Sequence, residues 1–202
     1  MSSVKVKFSN SFEAKRNRIE RLPVMGQNMI LGGIKRDCND IINAFKNGIR
    51  ENSFGLEPLK ENTISQKKGK GFSKPETPLY GKGDDRKRDT YINMLRIKKL
   101  NNGYKIYPSN GKHWKSKLKL SDLFKVHEYG AVITTAKAVI KIPPRPALLL
   151  AYRKQLSEMK KRKKETSREV KRAMTEYINS GNRRIADIYI DYYKRVLEAE
   201  KE

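Results

Sequence analysis

The sequence has few of the residues that build metal centres and disulfide frameworks. Its 202 residues include one cysteine and two histidines. The lone Cys38 excludes an intramolecular disulfide and a cysteine-rich zinc site, and its spacing from Ile34 and Ile41 predicts that it faces a core. His127 and Glu128 form half of a zinc-protease motif, but no second histidine stands at the required spacing. We therefore expect no metal ion and no cofactor.

Long apolar segments are also missing. Residues 1–15 contain no apolar run of the kind found in secretory signals, and no stretch approaches the roughly 18 apolar residues of a membrane helix. Hydrophobic residues make up 37% of the chain, which allows only a modest core. These observations predict a soluble, unsecreted protein that does not contact a membrane.

Catalytic arrangements are equally scarce. No Ser/His/Asp or Cys/His set is available, because both histidines lie in segments that we expect at the surface and that carry no signal of a nearby nucleophile. The Gly-Lys-Gly segments at 69–71 and 81–83 lack the spacing of a phosphate-binding loop between a strand and a helix. We predict that the protein is not an enzyme.

Positive charge is what the sequence has in abundance. The formal net charge is +24 and 34% of the residues are charged, which favours nucleic acid or acidic surfaces as partners. The densest run contains Lys160, Lys161, Arg162, Lys163 and Lys164. This run has three interpretations: a solvated helix face, a contact with nucleic-acid phosphates, or a patch for an acidic protein ring. Any contact with DNA should involve the backbone only, because no motif for base readout is visible.

The hydrophobic pattern predicts an α+β fold. A single apolar stripe from Met25 to Ile49 indicates a long N-terminal helix. Four short apolar segments predict strands, and the Asn102-Gly103 pair indicates a hairpin between the first two. The expected architecture is an antiparallel sheet of about four strands packed against the long N-terminal helix, followed by long C-terminal helices.

Two parts are expected along the chain. Residues 1–157 should form the α+β core, with a long basic loop near 55–90 that is rich in glycine and lysine. Residues 158–202 should form a helical extension. Its final segment carries an apolar stripe that predicts a helix packing on an oligomer neighbour or a partner: Ile185, Ile188, Tyr189, Tyr192 and Val196.

Two short segments stand out beside the third and fourth predicted strands. Glu128-Tyr129-Gly130 follows a short helical pattern, and Pro143-Pro144-Arg145-Pro146 precedes the helical pattern that starts at Ala147. Three prolines in four positions require an extended, rigid entry into that helix. Arg145 has two interpretations: a local ion pair with a carboxylate such as Glu128, which we favour, or a fixed interface contact.

This order of segments resembles the tail completion proteins of long-tailed bacteriophages, also called virion morphogenesis or tail-to-head joining proteins. Members carry a Glu-aromatic-Gly segment, a brief β excursion and a Pro-x-Arg-Pro corner that opens a helix. A second similarity lies in Pro58-Leu59, Thr63 and Lys67-Lys68 ahead of Pro78-Leu79-Tyr80-Gly81, where Tyr80 stands in place of the family's usual threonine. The resemblance covers roughly residues 25–157.

The resemblance implies a structural protein of the virion neck, assembled in the host cytoplasm. Such a protein forms a homo-oligomeric ring, a hexamer, that caps the head-proximal end of the tail and joins it to the head connector. Its implied partners are tail terminator or tube proteins and connector proteins, and the DNA backbone passing through the neck is a further candidate. The composition alone leaves an alternative: a monomeric basic protein that contacts the phosphate backbone of nucleic acid.

Overall fold

The computed structural model describes residues 10–82, 89–134 and 139–180, with side chains from residue 23 to residue 177 of those ranges. The predicted final helix, which carries Ile185 to Val196, therefore lies outside the described residues. The elements, in chain order, are α1 (Asn10–Arg50), α2 (Glu61–Gly69), β1 (Leu95–Leu100), β2 (Gly103–Pro108), α3 (Leu120–Tyr129), β3 (Ala131–Thr134), β4 (Val139–Ile142) and α4 (Ala147–Ser180).

The described residues divide into two compact units. A helical unit contains the residues up to Arg36 and those from Glu158 onward, and a mixed unit contains Asp37–Ser157. The division after Ser157 falls where the sequence analysis places its boundary, but the N-terminal part of α1 belongs with the C-terminal helix rather than with the mixed unit. No described helix is long and apolar enough to cross a membrane.

The helical unit is held by a small apolar cluster between two helices. Met25 and Met29 of α1 and Ala173 and Tyr177 of α4 are buried against one another, and each pair is spaced four residues apart so that it lies on one helix face. Gly26 faces Met174, whereas Gly33 faces Thr166. Because the contact moves backward along α4 as it moves forward along α1, the two helices are antiparallel.

The core of the mixed unit uses the second half of the predicted stripe on α1. Cys38, Ile41, Phe45 and Ile49 are buried, which confirms the core-facing prediction for Cys38. The Phe45 ring lies 5.7 Å from the ring of Tyr91, just ahead of β1. Three apolar side chains in and after that segment are at most 3% exposed: Ile92, Met94 and Leu95.

The prediction of one four-stranded sheet is wrong, although the mixture of helix and strand is α+β. The described strands form two separate antiparallel hairpins, β1–β2 and β3–β4. Periodicity identifies strands and Asn-Gly identifies the first turn, but neither specifies pairing between hairpins. Helix α3 separates the hairpins along the chain, and among the described strands β3 and β4 pair only with each other. The residues of β3 and β4 are exposed or half-buried.

The region interpreted as a loop near 55–90 contains a helix. Residues 61–69 form α2, which buries none of its side chains and therefore leaves no apolar stripe in the sequence. Lysine ammonium groups tie the surrounding turns to backbone carbonyls: Lys67 donates to Thr77 at 2.8 Å, Lys74 to Arg50 at 2.6 Å and Lys82 to Lys70 at 2.8 Å. Several lysines of this region thus have an internal structural use.

Two glycines offer a matched test of the packing in the mixed unit. A methyl group at Gly48 of α1 would lie 2.0 Å from Cζ of Phe54, whereas one at Gly69 of α2 would meet nothing within 4 Å. We expect Gly48→Ala to lower the free energy of unfolding by about 1–3 kcal/mol because the ring must move. Gly69→Ala should leave it unchanged or raise it by up to about 1 kcal/mol, since alanine favours helix. Urea unfolding followed by Trp114 fluorescence measures both, and equal effects would contradict the packing.

Candidate functional site

The two segments singled out in the sequence meet at the start of α4. The Arg145 backbone N–H donates to the carbonyl oxygen of His127 at 2.5 Å. The Leu148 N–H donates to Oε1 of Glu128 at 2.9 Å. These contacts join the end of α3 to the beginning of α4 and close the β3–β4 hairpin at its base. We call this junction of residues 127–130 with residues 143–148 the motif corner.

Glu128 supplies a cap that the local sequence of α4 lacks. Pro146 immediately precedes α4 and has no side chain that can accept a hydrogen bond from the first N–H groups of the helix. The Glu128 carboxylate, 20 residues earlier in the chain, takes that place. Burial raises the pKa of Glu128, and the N–H groups of Leu148, Leu149 and Ala147 oppose the rise by stabilising the carboxylate.

Gly130 allows β3 to start close to the end of β4 and to the proline segment. Its φ of +77° lies in the left-handed region. A Cβ atom there would lie 2.8 Å from the Ile142 carbonyl oxygen and 3.1 Å from the nitrogen of Pro144. A glycine is therefore required both by backbone conformation and by the approach of the proline segment.

Aromatic and charged side chains surround the buried carboxylate. The rings of Tyr91 and His127 meet edge to face with centroids 4.8 Å apart, and Tyr91 is 5% exposed. Burial, and after it the Glu128 carboxylate, raise the pKa of Tyr91. Burial, and after it the charge of Arg145, lower the pKa of His127 to about 4. At neutral pH the Tyr91 hydroxyl therefore stays protonated and the His127 imidazole stays neutral.

The Glu128 carboxylate accepts a hydrogen bond from the α4 backbone, and Arg145 is a buried residue whose charge is felt by His127. Arg145 is 8% exposed and Pro144 is exposed, so the arginine side chain does not project outward as an interface contact. The sequence signal for the contact between Glu128 and α4 was the absence of a capping side chain before Ala147.

The hairpin mounted on the corner is apolar and exposed. Val132, Ile133, Val139 and Ile140 are 65%, 43%, 60% and 48% exposed. Ile133 stands directly opposite Ile140, so one face of the hairpin consists of isoleucines flanked by Ala131 and Ile142. Lys141 is the single charge among the eight strand residues. Tyr129, at the base of the hairpin, is 76% exposed.

A cavity of about 290 Å³ opens beside the corner. Tyr91 and His127 form part of its wall, together with Lys67, His113 and Ser116. The Ser116 backbone N–H donates to Nδ1 of His113 at 3.2 Å, and the Ser116 hydroxyl lies 3.1 Å from the same nitrogen. One ring nitrogen thus closes a local turn. In the part of the chain that the structure describes, no group of three or more histidine, cysteine or acidic residues could hold a metal ion.

The remaining predicted site residues lie elsewhere. Lys160, Lys161, Lys163 and Lys164 are exposed on α4 in the helical unit, and Arg162 among them is half-buried. The five apolar residues predicted to bind an oligomer neighbour lie outside the described residues: Ile185, Ile188, Tyr189, Tyr192 and Val196.

The low pKa of His127 predicts a loss of stability in mild acid. An unfolded histidine binds a proton near pH 6.5, whereas the folded His127 does so only near pH 4. The unfolded state gains that proton first, so the free energy of unfolding should fall by about 2 kcal/mol between pH 7 and pH 4.5. The raised pKa of Glu128 acts in the opposite direction, which makes a comparison with His127→Gln necessary. Urea unfolding at both pH values should show a smaller fall in the variant, and the same fall in both proteins would contradict the shift.

A scan against protein-family models and searches of curated proteins and of solved structures found no match to this chain. The function must therefore be inferred from the residues of the chain itself. The strongest guides are the two motif segments joined at the corner and the apolar hairpin that they carry.

Proposed function

We propose that this protein is a structural subunit of the bacteriophage neck, a tail completion protein. In this proposal it forms a homo-oligomeric ring, a hexamer, that caps the head-proximal end of the tail. The ring contacts tail terminator or tube proteins on one side and head connector proteins on the other. The observation that carries the proposal is the exposed apolar β3–β4 hairpin, held at its base by the segments that resemble this family.

The exposed hairpin supports an assembly role on energetic grounds. A two-stranded hairpin is marginal in water unless another surface covers it. Its two open edges can also pair with a strand of a neighbour. The four exposed valine and isoleucine side chains are each about half accessible, so complete burial would contribute on the order of 1 kcal/mol apiece. A neighbouring subunit is the most economical cover.

The distribution of charge also favours the β3–β4 hairpin as the place where copies of the chain contact each other. Each chain carries a formal net charge of +24, so most of its surface repels a second copy. The strands of the hairpin contain one lysine in eight residues and present apolar side chains instead. Self-association is therefore least opposed at the hairpin.

The corner supports docking without large rearrangement. Gly130 and the Pro143–Pro146 segment fix the base of the hairpin, and Glu128 fixes the start of α4. A segment already held in one conformation loses less conformational entropy when it binds. More of the free energy from apolar burial is then available for assembly.

The alternative function is that of a monomeric basic nucleic-acid-binding protein. The exposed lysines of α4 favour it, because they offer phosphate contacts without any need for a ring. The two functions differ in oligomeric state. A protein that remains monomeric at tens of micromolar, alone and with tail components, would favour the alternative.

Two double variants test whether copies associate through the β3–β4 hairpin, and the side chains that they replace have similar exposed fractions. Ile133→Thr with Ile140→Thr retains β-branched residues but removes about 2 kcal/mol of apolar burial per interface, which corresponds to roughly 30-fold weaker association. Leu100→Thr with Leu118→Thr is the control, since these leucines are 47% and 55% exposed outside the hairpin. Light scattering after gel filtration should show dissociation of the first variant at concentrations where the control remains assembled. Equal assembly of the two would contradict the proposal.

A further inference from the structure

Positive side chains converge where α1 ends and β1 begins. Lys46 and Arg50 lie in the last turns of α1, and Arg96 lies near the start of β1. All three are half-buried. Lys46 and Arg50 are four residues apart on one face of α1, and the neighbouring Phe45 ring lies 5.7 Å from the ring of Tyr91 just ahead of β1. Burial lowers the pKa of Lys46, and the charges of Arg50 and then Arg96 lower it further. Lys74 joins them, since its ammonium group donates to the Arg50 carbonyl oxygen at 2.6 Å.

The hydrogen bonds that Arg96 and Lys74 donate in this cluster end on neutral carbonyl oxygens. Nη1 of Arg96 donates to the carbonyl oxygens of Asn93 at 2.5 Å and Leu95 at 2.9 Å. Lys74 likewise donates to a carbonyl oxygen. A carbonyl accepts a hydrogen bond without carrying a formal negative charge, so these contacts position the cations but do not neutralise them.

The β1–β2 hairpin extends the cluster with an unfavourable pair. Lys98 stands directly opposite Lys105, and both are exposed. Because side chains alternate along a strand, Arg96 and Lys98 share one face, on which Lys105 and Tyr107 are their cross-strand partners. Like charges directly opposite each other destabilise a hairpin. An anionic ligand on this face would remove that repulsion.

We propose that Lys46, Arg50, Lys74, Arg96, Lys98 and Lys105 form a surface that binds the phosphate backbone of double-stranded nucleic acid. The cations lie on a helix end, a strand pair and a tied turn, so they form a fixed array rather than a flexible tail. A nucleic-acid duplex carries closely spaced phosphates and a condensed layer of counterions, whose release drives binding by such an array. A folded acidic protein offers separate carboxylates and little counterion release. The surface contains no motif for base readout, so binding is independent of sequence.

This surface shares no residue with the basic run on α4 or with the apolar β3–β4 hairpin. It belongs to the mixed unit, whereas Lys160 and Lys161 belong to the helical unit. The lysines of the helical unit supply a matched control. Lys98→Gln with Lys105→Gln and Lys160→Gln with Lys161→Gln each remove two positive charges from exposed lysines of the same chain.

The experiment measures binding of a labelled 30-base-pair duplex by fluorescence anisotropy over a series of salt concentrations. If six phosphates are contacted, the logarithm of the affinity should fall with the logarithm of salt concentration with a slope of about −5 in the wild-type protein. The Lys98/Lys105 variant should reduce that slope by about 2 and bind at least tenfold more weakly at moderate salt. The Lys160/Lys161 variant should bind within about twofold of wild type. Because the Lys98/Lys105 variant removes a repulsive pair, its melting temperature should equal or exceed that of wild type, which separates lost binding from unfolding.

Three results would overturn the proposal. Equal losses in the two variants would show attraction by net charge alone. Absence of duplex binding at moderate salt would remove the surface as a nucleic-acid site. Binding of poly-glutamate as tight as that of the duplex, and lost in the same Lys98/Lys105 variant, would show that the surface takes an acidic protein instead.

Discussion

The hydrogen bond between Glu128 and the first turn of α4 is the contact on which the mixed unit's arrangement depends. The chain enters α4 through prolines, which fix the backbone but cannot cap the N–H groups that follow. Glu128 provides the missing acceptor and, in doing so, brings the end of α3 to the start of α4. Strands β3 and β4 lie between these two joined points of the chain, so the hairpin projects from the corner. The cap therefore sets both where α4 begins and from where the hairpin projects.

A buried carboxylate is costly, and the structure shows how the cost is offset. Glu128 is 7% exposed, and burial alone favours its protonated form. The N–H groups of the first turn and the positive end of the helix dipole stabilise the charge in compensation. Neighbouring His127 remains uncharged at neutral pH, so it adds no charge to those of Glu128 and the buried Arg145. The corner thus joins the end of α3 to the start of α4 around a stabilised buried carboxylate.

The same constraint links the fold to the proposed assembly role. A fixed corner holds an apolar hairpin out from a highly basic subunit, at the one described strand pair where charge is nearly absent. In these two proposals, contacts between copies and contacts with nucleic acid use different surfaces. The apolar hairpin offers burial, while the β1–β2 hairpin and the end of α1 offer fixed positive charge. A basic subunit can in this way associate with itself without neutralising the surface that attracts an anion.

The sequence predicted the elements whose signals are local. The stripe ending at Ile49 gave the core face of α1, and Asn102-Gly103 gave the β1–β2 turn. The separation of the two hairpins could not be predicted, because strand periodicity does not specify which strands pair. Helix α2 was missed because it buries nothing, and the partner of Glu128 was missed because the contact spans 20 residues.

Composition alone could not predict that Lys98 and Lys105 lie directly opposite each other. Their opposition depends on the register across the hairpin, which follows from the turn once its strand ends are known. The number of lysines predicts only a positive field around the whole chain. The strand register identifies one particular surface on which positive side chains are neighbours.

The most direct measurement is hydrogen exchange at the amides of Leu148 and Leu149 in the wild-type protein, in Glu128→Ala and in Glu128→Gln. If the cap organises the corner, both amides are protected in the wild type and exchange roughly 10- to 100-fold faster in Glu128→Ala, which corresponds to a loss of about 1–3 kcal/mol. Amides of β3 and β4 should lose protection with them, those of β1 and β2 should not, and Glu128→Gln should retain part of the protection through its carbonyl oxygen. Unchanged exchange in Glu128→Ala, or a uniform loss across the mixed unit, would contradict the account.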